Sequence, residues 1–231
     1  MAYKLSALLA TSVQAVTSAS EKTHPFVGGS ANIITLDTRN TNDFFGSIFI
    51  GDQYVEERMV YDTASQNVAL AKKGTKNAEV IGLYDTAESK TAKAFGNEEL
   101  ELDYGSFFLN GKYWRDNMCL IQNRQERTNQ SGRLCVRSMP FLSITWIDGP
   151  FMASGLVGLA PGGGEYSYVE QLHEQGVIES KVVGLNFEDP QDKNIVSSIT
   201  FGFVDYDEIQ RGKDGFNFYN NNGTNNWSLD M

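Results

Sequence analysis

Phe44-Phe45-Gly46-Ser47-Ile48-Phe49-Ile50-Gly51 and, after a polar turn, Glu57-Arg58-Met59-Val60-Tyr61-Asp62-Thr63-Ala64-Ser65-Gln66-Asn67-Val68-Ala69-Leu70 form the stretch whose reading decides the fold. Two runs rich in β-branched and aromatic residues, separated by a turn at Asp52-Gln53, predict an antiparallel hairpin. Its second strand ends on Asp62, with hydroxyls on both sides at Tyr61, Thr63 and Ser65. A carboxylate mounted on a rigid strand-to-loop turn among hydroxyls suits acid–base chemistry on water. Val68-Ala69-Leu70 is apolar again, so the chain returns to the core within a few residues.

Around this hairpin the bulk properties agree on one β-rich unit. With 231 residues, 41% of them hydrophobic, the chain has the material for one large core or two small ones. Helical periodicity is scarce, and 22 glycines with many aromatics point to short strands joined by turns. The formal net charge of −10 argues against nucleic acid and anionic membrane surfaces as partners. At the N-terminus, Lys4 precedes an uncharged run from Leu5 to Val16 and then Thr17-Ser18-Ala19. That order fits a secretory signal over residues 1–19, cut after Ala15 or Ala19. No other segment has the roughly 20 apolar residues that span a bilayer, so no membrane anchor is expected.

Cys119 and Cys135 lie in strand-like Met118-Cys119-Leu120-Ile121 and Leu134-Cys135-Val136. In a secreted chain a disulfide closing this hairpin is the natural reading, with free thiols the alternative. Zinc needs more ligands than these; His24 and His173 lie far off without ligand spacing, so no metal and no cofactor is expected. Sequons stand at Asn129, Asn222 and Asn226. Residues 20–43 are polar, a short leader with a first strand near Ile34 and Leu36. A second hairpin is expected from Glu98 to Trp114, its tip near Gly105 to Gly111, and a further strand from Phe141 to Trp146. Ser167 to Gln175 is the best helix, with Val169, Leu172 and His173 on one face and Gly176 as its stop. Strands at Val182–Phe187 and Ser198–Phe203 follow, then a polar turn from Asn220 to Asn226 read as a solvated loop.

Asp-Thr-Ala occurs twice, at Asp62 and at Asp85, so the tripeptide alone carries little. Context separates them: Asp85 precedes Glu88, Ser89 and Lys90 and reads as a solvated turn or helix cap. In its context the Asp62 segment resembles the pepsin-like aspartic proteases. Asp43 to Gly51 is similar to that family's opening strand, and Asp62-Thr63-Ala64-Ser65-Gln66-Asn67 to its active-site loop. Leu102-Asp103-Tyr104-Gly105-Ser106 resembles the flap hairpin, and Leu156-Val157-Gly158 the element that crosses and supports the loop. Tyr168 to Leu172, Gln175 to Ile178, Thr200-Phe201-Gly202 and Asn226 to Asp230 continue the likeness, the last as the strand leading to the domain connection.

The resemblance implies an all-β fold: one lobe of the pepsin-like acid protease fold, closed-barrel-like, with one or two short helices. Residues 44–231 would be the N-terminal lobe, ending at the interdomain connection, with the C-terminal lobe absent. In such proteases each lobe gives one Asp, and water is activated between the pair; the handling of a shared proton by two close carboxyls is a well-known property of this family. By resemblance Asp62 is the first catalytic Asp, Thr63, Ala64 and Ser65 support it in the loop, and Leu156, Val157 and Gly158 support it from below. Thr63 would brace the two loops against each other, and Ser65 would hydrogen-bond the carboxylate. Tyr104, with Gly105 and Ser106, would form the substrate-binding flap.

Four departures from the family pattern stand out: Ala64 for glycine, Ala69 for tryptophan, Ser154 for aspartate, and few basic residues in 20–43. No second Asp-Thr/Ser-Gly loop is present. The expected function is therefore aspartic endopeptidase, from a truncated or partial sequence acting on extended polypeptides in the secretory pathway, outside the cell or in an acidic lysosome- or vacuole-like compartment. A missing C-terminal lobe or second subunit would complete the site, and the isolated chain would be inactive. The alternatives are a non-catalytic peptide-binding half-fold, or a homodimer using Asp62 from each subunit.

Overall fold

The computed structural model describes residues 5–10, 33–40, 43–80, 82–120, 134–187, 197–204, 217, 219–223 and 225–228. Both predicted cleavage positions, the sequon at Asn129 and the end of the expected last strand at Asp230 lie outside the described residues.

The regular structure of the described chain is almost entirely strand. In order these are β1 (Leu5–Ala10), β2 (Ile33–Thr35), β3 (Asp37–Asn40), β4 (Asp43–Ile50), β5 (Val55–Asp62), β6 (Val68–Lys76) and β7 (Lys93–Asp103). There follow β8 (Phe108–Leu120), β9 (Leu134–Asp148), β10 (Gly155–Gly158), the short helix α1 (Tyr168–Glu174), β11 (Val182–Phe187) and β12 (Ser198–Phe201). The all-β expectation and the opening hairpin of β4 and β5 both hold.

One sheet runs β3-β4-β5-β10-β6-β9-β8-β7, and β4 also pairs with β8 through Phe49↔Cys119 and Ile50↔Met118. That extra pairing closes β4, β5, β10, β6, β9 and β8 into a ring, the barrel-like form the resemblance implies. Cys119 and Cys135 face each other across β8 and β9 and are joined by a disulfide. A second sheet, β1-β11-β12-β2, packs on the barrel. The Leu5–Ala10 run read as the apolar part of a signal is antiparallel to β11 here.

Side chains alternate between two cores, as the pleat requires. In β6, Val68 and Leu70 enter one core and Ala69 and Ala71 the other; β10 divides Val157 and Leu156 in the same way. The first core joins the barrel to α1 and the second sheet through residues such as Met59, Phe141, Leu172 and Phe201. The second holds Phe45, Leu142, Ile144 and Phe151 and lies beneath the β7–β8 hairpin. Strands buried on both faces lose the polar alternation of an exposed sheet, which explains the nearly unbroken apolar run of β10.

Two expectations are corrected in detail. The tip of the second hairpin is confined to residues 104–107, and Gly111 lies inside β8 opposite Ile144. In α1 the buried residues are Tyr168, Val169 and Leu172, while His173 is exposed. Ser167 caps the helix by accepting from the Glu170 N–H, and the phenol of Tyr168 finds the Leu134 carbonyl at 2.8 Å, so an aromatic can be fully buried there.

Candidate active site

Asp62 stands where β5 ends, half-buried, with its Oδ1 accepting the Ala64 N–H at 2.8 Å. This short Asx turn bends the chain away from β5 immediately after the carboxylate. β5 and β6 are not neighbours: β10 lies between them, parallel to β5 and antiparallel to β6. Its register sets Gly158 opposite Asp62, Leu156 opposite Val60 and Ala69, and Val157 opposite Tyr61 and Val68. The residues at its end then hold the loop by its backbone. Gly158 N–H donates to Asn67 O (3.0 Å), Leu159 N–H to Asp62 O (2.8 Å) and Ala160 N–H to Ser65 O (2.8 Å).

Gly158 has to be glycine. A Cβ there would lie 2.5 Å from the Gln66 carbonyl carbon and 2.6 Å from Ser65 O, inside the loop backbone. The bare Cα is what allows β10 to press against the segment carrying Asp62.

Each residue expected at the site has a definite place. Thr63 and Ala64 form the turn after Asp62. Ala64 is exposed and is not among the residues with positive φ, so its Cβ meets no steric penalty in place of the family's glycine. Ser65 is 7% exposed, and its buried Oγ has no hydrogen-bond partner among the described residues. The expected bond from Ser65 to the carboxylate is therefore not formed. The tight turn spends Asp62 Oδ1 on the Ala64 amide, and the Ser65 side chain points into the interior.

Tyr104, Gly105 and Ser106 make the tip of the β7–β8 hairpin. Gly105, at φ +76°, donates its N–H to Asp103 Oδ1 at 2.7 Å, and Tyr104 N–H bonds Phe107 O at 3.0 Å. The Tyr104 ring stacks on Phe107 (centroids 4.9 Å apart), and Phe107 leans on Phe151 at 5.0 Å. Burial first, and then the negative charge of Asp62, raise the Tyr104 phenol well above the ordinary tyrosine range. The second cause places the phenol within electrostatic range of the Asp62 carboxylate.

Other residues at the site were not singled out from sequence. Gln66 donates through Nε2 to Pro161 O and to Asn225 O, each at 2.9 Å. The Asn220–Asn226 turn, read as a solvated loop, therefore touches the Asp62 loop at one carbonyl. Ser154, in place of the family's aspartate, is buried and hydrogen-bonds Glu57, itself 1% exposed. Asp85 is a local turn former, as expected, accepting the Ala87 N–H at 2.9 Å. Among the described residues no cluster of three or more His, Cys, Asp or Glu could hold a metal, and no helix is long and apolar enough to cross a membrane.

The Asp62 carboxylate, the β10 strand packed on its loop and the aromatic tip of the β7–β8 hairpin are the features of this region. No curated protein matches the chain. The family model for eukaryotic aspartyl protease matches residues 43–231, which takes in β4 to β12 and every site residue named above. The chain therefore belongs to the eukaryotic aspartyl protease family, and its fold is that of a pepsin-like N-terminal lobe.

Proposed function

We propose that the protein is an aspartic endopeptidase in which Asp62 is the first of two catalytic carboxyls. The observation that supports this reading is the β10–β5 register, which seats Gly158 opposite Asp62 and packs it on the loop that follows. In the mechanism the family implies, an ionised carboxylate takes a proton from water as it attacks the scissile carbonyl, while a second, protonated carboxyl protonates the carbonyl oxygen. Asp62 supplies one of the two, and a second lobe or subunit supplies the other. Thr63 braces the loop against that counterpart. The substrate is an unstructured polypeptide held extended beneath Tyr104, with apolar side chains flanking the cut. Closure of the hairpin excludes water from the reacting bond. The N-terminal 19 residues act as a secretory signal, and the enzyme works outside the cell or in an acidic compartment.

Calorimetric titration of the chain with pepstatin, alone and after Asp62→Asn, tests the reading, with cleavage of an unfolded polypeptide at acid pH measured alongside. Binding to the parent chain that is lost in the variant is the expected result. Peptide binding indifferent to Asp62→Asn would identify a non-catalytic binding fold instead. Cleavage that rises with the square of protein concentration would identify a site completed by a second copy.

A further inference from the structure

The sequons at Asn222 and Asn226 share one loop, and the loop treats them differently. Asn221 closes it from within. Half-buried, its Oδ1 accepts the N–H groups of Gly223 (3.1 Å) and Ser228 (2.8 Å), and its Nδ2 donates to Gly223 O at 2.9 Å. The Asn222 N–H adds a bond to Ser228 O at 2.8 Å. From the barrel side, Gln66 Nε2 reaches Asn225 O at 2.9 Å. The loop is therefore tied both to itself and to the Asp62 segment.

Asn222 heads the triplet Asn222-Gly223-Thr224 and is exposed, beside the smallest neighbour a bulky adduct could have. Asn226 heads Asn226-Trp227-Ser228. It too is exposed, yet it lies back on the loop: a Cβ at Gly223 would meet Asn226 Oδ1 and Asn226 O well inside van der Waals contact. Trp227 is half-buried with its indole nitrogen inside the protein, and the Ser228 backbone is engaged by Asn221 and Asn222. A sugar on Asn226 would pull that side chain off Gly223 and disturb the closure, whereas one on Asn222 extends into water.

We propose that Asn222 carries an N-linked oligosaccharide and that Asn226 does not. The donor class is an oligosaccharide on a lipid pyrophosphate. Asn222 Nδ2 forms a C–N bond to C1 of the first sugar, and the C1–O bond to the pyrophosphate breaks. The lipid pyrophosphate leaves with the electron pair, and the amide proton passes to the transferase. The inference rests on residues 1–19 delivering the chain to the secretory pathway. It places a hydrophilic adduct on the loop that touches the Asp62 segment at Gln66.

The test is expression of the full chain in a secreting eukaryotic host, followed by peptide mass spectrometry after enzymatic deglycosylation in heavy-oxygen water. Heavy aspartate at position 222 and unmodified Asn226 are the expected result. One step of gel mobility should be lost in Asn222→Gln and in Thr224→Ala, and kept in Thr224→Ser and Asn226→Gln. The Thr224 pair separates loss of the sequon from a folding defect, since Asn222 itself is untouched. Unmodified Asn222 in a chain whose residues 1–19 have been removed overturns the proposal and leaves the secretory reading standing. Unmodified Asn222 in a chain that still carries residues 1–19 removes both. A sugar on Asn226, alone or beside one on Asn222, overturns the selection between them.

Discussion

At Gly158 one hydrogen separates a supporting strand from the loop it supports. Adding a methyl group places it within 2.7 Å of three backbone atoms of Ser65, Gln66 and Asn67, none of which can swing aside as a side chain would. Gly158→Ala should therefore destabilise the fold by about 1–3 kcal/mol, measured as a lowered urea midpoint. It should also reduce pepstatin binding, because the displaced backbone carries Asp62. Ala64 is the opposite case. It sits outside the positive-φ residues with an exposed side chain, so the loop accommodates it without a shift. What the family's glycine might have demanded of that position was undecidable from sequence; the backbone conformation decides it.

The 82–91 segment is neither strand nor helix, yet it is pinned along its length, and Asp116 of β8 does most of the pinning. Its buried carboxylate accepts Tyr84 Oη at 2.7 Å, Ser89 Oγ at 2.6 Å, Thr91 Oγ1 at 2.5 Å and the Asn117 N–H at 2.7 Å. Asp116→Ala removes the acceptor and strands buried hydroxyls, so a loss of about 3–5 kcal/mol is expected, again as a shift in the urea midpoint. Asp116→Asn, which keeps an acceptor oxygen, should lose less. Nothing in Trp114-Arg115-Asp116-Asn117 signals this role, since its side-chain partners lie 25 or more residues upstream in a stretch without periodicity. By contrast β4, β5 and β11 were readable, because apolar alternation and the flanking turns are local properties of the chain. The β7–β8 tip was set too far downstream because Gly111 reads as a turn residue, although it lies within β8. The insertion of β10 between β5 and β6 is non-local and came into view only through resemblance.

For the molecule as a whole, Glu57 sets a dependence on acidity. Its Oε1 accepts the Leu83 and Tyr84 N–H groups, each at 2.6 Å, and Ser154 is a further hydrogen-bond partner. Burial raises its carboxyl above the ordinary value of 4.5, against the lowering effect of those hydrogen bonds. A carboxyl raised in the folded state favours the native form while it is neutral. Its contribution is therefore fully present below about 4.5, the unfolded value, and is lost as pH rises through the higher folded value. Thermal unfolding followed across this range should show that decline in Tm, and Glu57→Gln should flatten it.

The intercalation of β10 also bears on how the chain comes together during synthesis. β5 and β6 leave the ribosome long before Gly155–Gly158 does, and they cannot zip into a hairpin of their own without shutting out the strand that belongs between them. Their final alignment must wait for distant residues, the kind of long-range pairing that slows folding. The segment around Asp62 is therefore expected to reach its final alignment only after Gly155–Gly158 has been made.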